Sequence, residues 1–397
     1  MQLILGVDSI RPPLAGIGVY SANLGRELLA RRDVTVVGLT RFGLLDEAQL
    51  SDLIERIFAE QAITSSDVGS INTFRQLVIS KAKESDLARY LYHKGAQIAA
   101  AKNLRGMPKN AIYHAPNFIG YGRSQRKVVT IHDLSHLEFP EMHPESRVRF
   151  MNDWLEKSIR EAAHVIVDTD FIKQQLLRSG MLASCSESKI STVSLGVSDD
   201  FSATSGVDKA DYLHQYGLNQ EGFILSIGTL EPRKNYQRLV EAYLELPKEV
   251  AAEFPLVICG ARGWKYASLL NLVNSVEAPY RVVITGHVPQ SVMVSLVNAC
   301  RVFVYPSLYE GFGLPILEAM KCGVPVITSG IGSMSEVAGE AALLVDPLSI
   351  ISISDGLKQM LDSKELRDKF VSLGHSHSRK FTWRETSNKT FEVYQKV

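Results

Sequence analysis

Residues 305–323 read Tyr-Pro-Ser-Leu-Tyr-Glu-Gly-Phe-Gly-Leu-Pro-Ile-Leu-Glu-Ala-Met-Lys-Cys-Gly, and the punctuation of this stretch decides the fold class. The apolar run Val302-Phe-Val-Tyr305 before it reads as a buried strand that Pro306 and Ser307 end. Gly311 and Gly313 make a bend, and Pro315 suits the first turn of a helix. Gly323 followed by Pro325 stops that helix early. A strand therefore delivers a glycine loop to a helix N-terminus, where unpaired N–H groups and the helix dipole favour an anion. Glu310 stands before the bend and Glu318 about one turn inside the helix. Carboxylates accept hydrogen bonds from hydroxyls, so two of them flanking an anion cradle suit a nucleotide sugar. A Glu in a first helical turn is also favourable for stability alone.

Glu310 to Glu318, with Gly-Phe-Gly-Leu-Pro between and Glu-Ala-Met-x-x-Gly-x-Pro-Val after, resembles the Glu-x7-Glu signature of retaining GT-B glycosyltransferases, family 4 (group 1) above all. The resemblance covers nearly the whole chain, most strongly from Ser226 to Pro347. It implies an α/β protein with the GT-B fold, two Rossmann-like domains whose parallel sheets face across a cleft.

Working outward, length and composition agree with two domains. A chain of 397 residues exceeds one typical core. Lys plus Arg and Asp plus Glu both count 43, so no global field calls for nucleic acid. The four cysteines, Cys185, Cys259, Cys300 and Cys322, show no metal-like spacing, which fits a reducing compartment and no structural zinc. Met1 leads directly into Leu3–Val7, which reads as a strand rather than a signal peptide, and no apolar run approaches transmembrane length. The expected location is the cytoplasm, with peripheral contact at the cytoplasmic face of the inner membrane left open. The expected domains are 1–196 and 207–380, joined by a linker from Gly196 to Gly206, with 381–397 as a helix crossing back to the first domain.

In the first half, Leu3–Val7, a loop with Gly16 and Gly18, a helix over Tyr20–Ala30 and Val34–Leu39 open a Rossmann-like unit. A lone Gly-x-Gly is a weak signal. By the resemblance, Gly16 and Gly18 line the cleft and let donor or acceptor approach the backbone. Leu44 to Leu104 reads as helical and basic, with Arg75, Lys81, Lys83, Arg89, His93, Lys94, Lys102 and Arg105 among apolar residues. Such a stretch is a solvated face over a core or a rest on an anionic membrane. Ala111–His114, Lys127–His132, Ala162–Asp168 and Ile190–Leu195 read as strands. His132 ends one of them, where parallel sheets bind ligands. The segment Thr-Ile-His-Asp-Leu-Ser resembles mannosyltransferase-like members, which implies that His132 faces the donor sugar. Asp168-Thr-Asp170 mimics a metal-binding Asp-x-Asp, but a Thr or Asp before a helix reads as an N-cap. His114, His136 and His143 are metal ligands only if the fold gathers them.

In the second half, Phe223–Gly228, Leu256–Gly260, Arg281–Gly286, Val324–Thr328 and Leu343–Asp346 read as strands beside Val302–Tyr305. Arg233 and Lys234 precede a helix from Tyr236, an unfavourable end for cations, so an anion should offset them. The block Gly-Thr-Leu-Glu-Pro-Arg-Lys-Asn resembles the family's diphosphate-binding turn and implies that role for both. Thr229 stands where many members have Arg. Gly286 and Val288 resemble the turn whose backbone reads the base.

By the resemblance Glu310 holds sugar hydroxyls at the reacting carbon, Glu318 binds the ribose, and Arg233, Lys234 and the N–H groups of Gly311, Phe312, Gly313 and Leu314 take the diphosphate without a metal. No further cofactor is implied. The expected activity is transfer of mannose or rhamnose, GDP-linked, with retention, to a glycan or lipid-linked acceptor in O-antigen or lipopolysaccharide biosynthesis. A UDP-sugar enzyme, a non-catalytic sugar-nucleotide-binding protein and an epimerase are the alternatives. A glycoside hydrolase on Glu310 and Glu318 is disfavoured, since eight helical residues span ~12 Å and such pairs need roughly 5–9.5 Å.

Overall fold

The computed structural model describes the chain apart from residues 13, 15, 63–85, 123, 125, 182–186, 204–212, 214–215 and 219–221, with side chains described outside 61–93. Two compact units result: Met1–Ser194 together with Trp383–Val397, and Leu195–Thr382.

The first unit holds β1 (Gln2–Gly6), β2 (Thr35–Thr40), β3 (Gly43–Leu45), β4 (Ile112–Ala115), β5 (Lys127–Ile131), β6 (His164–Val167) and β7 (Ile190–Thr192). They form one sheet in the order β3-β2-β1-β4-β5-β6-β7. β4, β5 and β6 are buried along their whole length, which is why they read as unbroken apolar runs rather than as alternation. Each is an inner strand, paired in parallel on both sides and covered on both faces. β3 departs from the helical reading of this region. It pairs antiparallel with β2 through a two-residue turn, Thr40 opposite Gly43 and Gly38 opposite Leu45. Three residues are too short to show a period, and the chain turned helical right after, at Glu47–Ala62. Of the basic stretch, Arg75, Lys81 and Lys83, and the side chains of Arg89 and His93, lie outside the described residues.

The second unit holds β8 (Ile224–Ile227), β9 (Leu256–Cys259), β10 (Val282–Gly286), β11 (Val302–Tyr305), β12 (Val326–Ser329) and β13 (Leu343–Val345). Their order is β10-β9-β8-β11-β12-β13, and every pairing is parallel. Leu239, Val240, Tyr243, Ile258, Val304 and Leu357 lie at its core. The short helix after β11 spans Leu314–Lys321 and stops as the glycine signal predicts. Gly323 has φ +73, its N–H donates to Met320 O, and that of Val324 donates to Ala319 O.

In each sheet the strand order reverses once, at β1/β4 and at β8/β11. Connections leave such a pair toward opposite faces of the sheet, so a crevice opens at the carboxyl ends of the two strands. The residues at those ends follow β8 and β11 in one unit and β1, β4 and neighbouring β5 in the other.

The helix Trp383–Gln395 belongs to the first unit. Tyr394 Oη lies 2.7 Å from His114 Nδ1, Thr386 Oγ1 donates to Ser194 O, and Arg31 stacks over Phe391 at 3.9 Å. No helix among the described residues is long and apolar enough to cross a membrane.

Candidate active site

The crevice of the second unit is built by the loops after β8 and β11. They are tied by a backbone bond from Leu308 N to Arg233 O, 2.8 Å. Asn235 reinforces the tie: at φ +62, a conformation Asn tolerates, its Nδ2 donates to Pro306 O and Pro347 O. Arg233 and Lys234 sit in a single 3-10 turn, Pro232–Lys234. Both point at Glu310. Arg233 Nη1 donates to Glu310 Oε2 (2.5 Å), and Lys234 Nζ donates to Glu310 Oε1 (2.7 Å) and to Tyr305 Oη (2.5 Å). Arg233 Nε meets Glu231 Oε1 at 2.6 Å. Glu310, Lys234 and Glu231 are buried.

Two carboxylates thus face two cations. Burial pushes the Glu310 carboxyl up, yet Arg233 and Lys234 outweigh it and hold the group down at about 2. Burial lowers Lys234, and Glu310 counters it. Glu231 and Glu310 thus supply, within the protein, an anion beside Arg233 and Lys234. Glu310 is correspondingly not a carboxylate waiting with free oxygens, since both accept from cations.

The same crevice contains the helix N-terminus at Leu314. Gly313, at φ +103, permits the bend, and an added Cβ would sit 3.1 Å from Ile316 Cδ1. Phe312 is buried, its ring edge-on to Phe381 at 6.1 Å. Glu318 is half-buried, and its carboxylate makes no hydrogen bond or ion pair among the described residues. Burial alone lifts it to about 7. Gly286 has φ +74 with open space where a Cβ would stand, and Val288 beside it is buried.

In the first unit, His132 follows β5 and is buried between aromatic edges, Tyr20 at 4.8 Å and Phe118 at 5.7 Å. Its Nδ1 is 2.7 Å from Asp168 Oδ2 and its Nε2 is 2.9 Å from Pro116 O. Thr169 caps the next helix by accepting from Ile172 N, as the N-cap reading requires. Asp168 is no part of that cap. The two glycines of the first loop serve different ends. Gly16 takes φ +47 with open space beyond it, whereas a Cβ on Gly18 would sit 2.9 Å from Ser9 O, so Gly18 is explained by packing. His114 is committed to Tyr394 and Thr130.

A family model described as "Glycosyl transferases group 1" matches residues 208–376. The chain is 34% identical, over all of its length and all of the relative's, to the O-antigen chain mannosyltransferase B of Escherichia coli. The chain belongs to the group 1 glycosyltransferases. It is also 27% identical to the serotype-specific mannosyltransferase WbdA of Escherichia coli, over 77% of this chain and 39% of that longer protein. Among solved structures, Anabaena HepE in complex with UDP-glucose superposes with a TM-score of 0.67 over 100% of both chains, at 18% identity, a likeness of fold. The fold of this glycosyltransferase is GT-B.

Three residues of the glycosyltransferase escaped the sequence reading. Tyr305 was only the end of a strand, Glu231 only a member of a motif block, and Asp168 only the flank of a cap. A signal existed for Asp168: an ionisable residue at the carboxyl end of a strand next in order to the one that delivers His132.

Proposed function

We propose that this glycosyltransferase moves mannose from GDP-mannose to a glycan or lipid-linked acceptor in O-antigen biosynthesis, with retention at the anomeric carbon. The full-length 34% identity to an O-antigen chain mannosyltransferase carries the sugar and the pathway. The charge cluster suits the chemistry. When the anomeric bond breaks, negative charge develops on the diphosphate, and Arg233, Lys234 and the N–H groups around Gly311–Leu314 are preorganised donors that stabilise it without a metal. Glu310 keeps the two cations aimed and lies next to the reacting carbon. Glu318, an acceptor without a protein partner among the described residues, takes the ribose hydroxyls, and Gly286 and Val288 take the base.

A peripheral membrane contact fits a lipid-linked acceptor. Residues 87–132 contain no Asp or Glu, and the solvent side of the helix Asp86–Arg105 exposes Lys94, Ile98, Lys102 and Arg105. Spaced by three and four, these residues share one face, basic with an apolar centre, as interfacial helices are.

The deciding measurement is thermal stabilisation by GDP and UDP, each with and without EDTA, because a ligand bound only by the native state raises its melting temperature. A GDP-selective, EDTA-insensitive shift is expected, followed by mannosyl transfer from GDP-mannose with an axial product linkage by NMR. A UDP-selective shift overturns the donor, an EDTA-sensitive one the metal-free mechanism, and inversion the stereochemistry.

A further inference from the structure

The imidazole of His132 has an acceptor on each side. Pro116 O, 2.9 Å from Nε2, is a carbonyl and can only accept, so Nε2 carries a hydrogen. The 2.7 Å contact between Nδ1 and Asp168 Oδ2 needs one more proton, whichever atom it sits on. Two protons on the pair make it electrically neutral: imidazolium with carboxylate, or imidazole with carboxylic acid. A histidine poised as a general base is different. It keeps one nitrogen unprotonated and turned toward the proton it will take.

The surroundings hold the ring in this state. Tyr20 and Phe118 pack edge-on against it, and His132 is 8% and Asp168 2% exposed. Phe118 adopts φ +55, a costly conformation for a bulky residue, and is tied there by its N–H donating to Thr130 O. That loop places Pro116 O on Nε2. Among the described residues, the titratable groups around the ring are few. From β4 comes His114, kept neutral and pushed down to about 3 by burial and by the charge on His132. From the first helix comes Tyr20, and from its own loop Asp133, whose Oδ1 accepts from Ser135 N and Oγ. From β6 comes Asp168. Burial pushes the His132 imidazole down, but Asp168 outweighs it and holds the group above its ordinary value. Burial raises Asp168 as well, against the pull of His132. Both directions favour keeping the proton.

We infer that Asp168 is the positioning residue of His132, and that with Pro116 O it keeps the ring fixed and saturated with protons, so that His132 is not the base that deprotonates the acceptor. The part about the acceptor rests on the glycosyl-transfer reading; the proton count does not. In that transfer the acceptor O–H breaks, a new C–O bond forms at the anomeric carbon, and the bond from that carbon to the phosphate oxygen breaks. The proton has to go to another base, and the departing diphosphate is one the reaction itself supplies. The assignment separates this site from an otherwise similar His–Asp pair with a free nitrogen, which would deprotonate the acceptor directly.

The test begins with the full-length protein labelled with ¹⁵N in histidine, without ligand, using long-range ¹H–¹⁵N spectra from pH 6 to 9 and a His132→Gln variant for assignment. Both ring nitrogens of His132 are expected in the protonated range through neutral pH. A nitrogen of the unprotonated type at pH 7 overturns the inference, whatever the donor proves to be. Asp168→Asn keeps the shape and removes the charge. It is expected to free one nitrogen at neutral pH and to lower kcat roughly tenfold, with donor KM little changed. The loss should deepen as pH rises through the ordinary histidine range, because the second proton is no longer held. A wild-type pH profile in Asp168→Asn overturns the inference too. Absence of turnover with every nucleotide sugar in the wild type would overturn the glycosyl-transfer reading and leave the NMR result standing.

Discussion

Each sheet of this glycosyltransferase ends its central strands in a buried charged cluster, and the two are built on opposite plans. After β8 and β11, Arg233 and Lys234 grip one carboxylate, with Glu231 on the far side of the arginine. After β5 and β6, one imidazole is gripped by two acceptors, Asp168 and Pro116 O. The first cluster holds cations in place by means of anions, and a stronger anion can share them. The second holds a proton, and its ring nitrogens have no valence left. One sheet end is built to meet incoming charge, the other to keep a ring still.

Breaking the first cluster gives the largest effects. Glu310→Ala leaves Arg233 and Lys234 side by side without their shared carboxylate. Loss of a buried partner costs ~3–5 kcal/mol, and donors aimed at a developing charge contribute roughly 10²–10³ in rate. Urea unfolding should show the first loss and turnover the second. Glu310→Gln should recover part of the stability and little of the activity. Equal activity in Glu310→Gln and wild type would remove the carboxylate from the mechanism.

Lys234→Ala comes next. It leaves Glu310 with Arg233 alone and frees Tyr305 Oη, so the expected loss of kcat is about 10²-fold. Nucleotide diphosphate binding should weaken in parallel, and nucleoside binding should not. Titration calorimetry with both ligands separates the two. A comparable loss for the nucleoside would mean that the fold has suffered.

Acid sharpens the contrast. Glu310 is held at about 2 in the folded chain, below its ordinary 4.5, so its contribution is complete above 4.5 and is lost as pH falls through about 2. The His132 imidazole is raised, so its contribution is present in acid and is lost as pH rises through its folded value. In melting profiles against pH, Glu310→Gln should flatten the acid limb and Asp168→Asn the alkaline one. A reversed assignment of limbs would refute the two plans.

Glu318 gives the smallest effect and an opposite sign for stability and binding. Burial lifts it to about 7 from 4.5, so its ionisation works against the fold increasingly as pH rises from 4.5 through 7. Glu318→Gln should raise stability at pH 8 by about 1 kcal/mol, allowing for its partial exposure. It should weaken nucleotide binding roughly tenfold, the loss expected for a charge-assisted hydrogen bond. Unchanged affinity would take the ribose role from Glu318.

Much of the fold was legible because parallel strands buried on both faces leave continuous apolar runs. Val302–Tyr305 was read to the residue, and most other strands within two. β3 was hidden by its length. In the site, Glu310, Arg233 and Lys234 were legible as motif members, but their joining was not. Arg233 is 77 residues from Glu310, and no local pattern says that β8 and β11 are neighbours. Gly18 was read as a place for close approach and is a packing position, since the atom it makes room for, Ser9 O, lies in a loop without period.

The sequence by itself determined the elements, their punctuation and the residue types that chemistry needs, since propensity, period and turn preference act over a few residues. Only the tertiary structure decided which of those residues meet. It set Glu310 and Glu231 beside the two cations, and it turned the flank of a helix cap into the partner of His132. The reason is that strand order places residues far apart in the chain at one sheet end, where burial makes every charge depend on its neighbour.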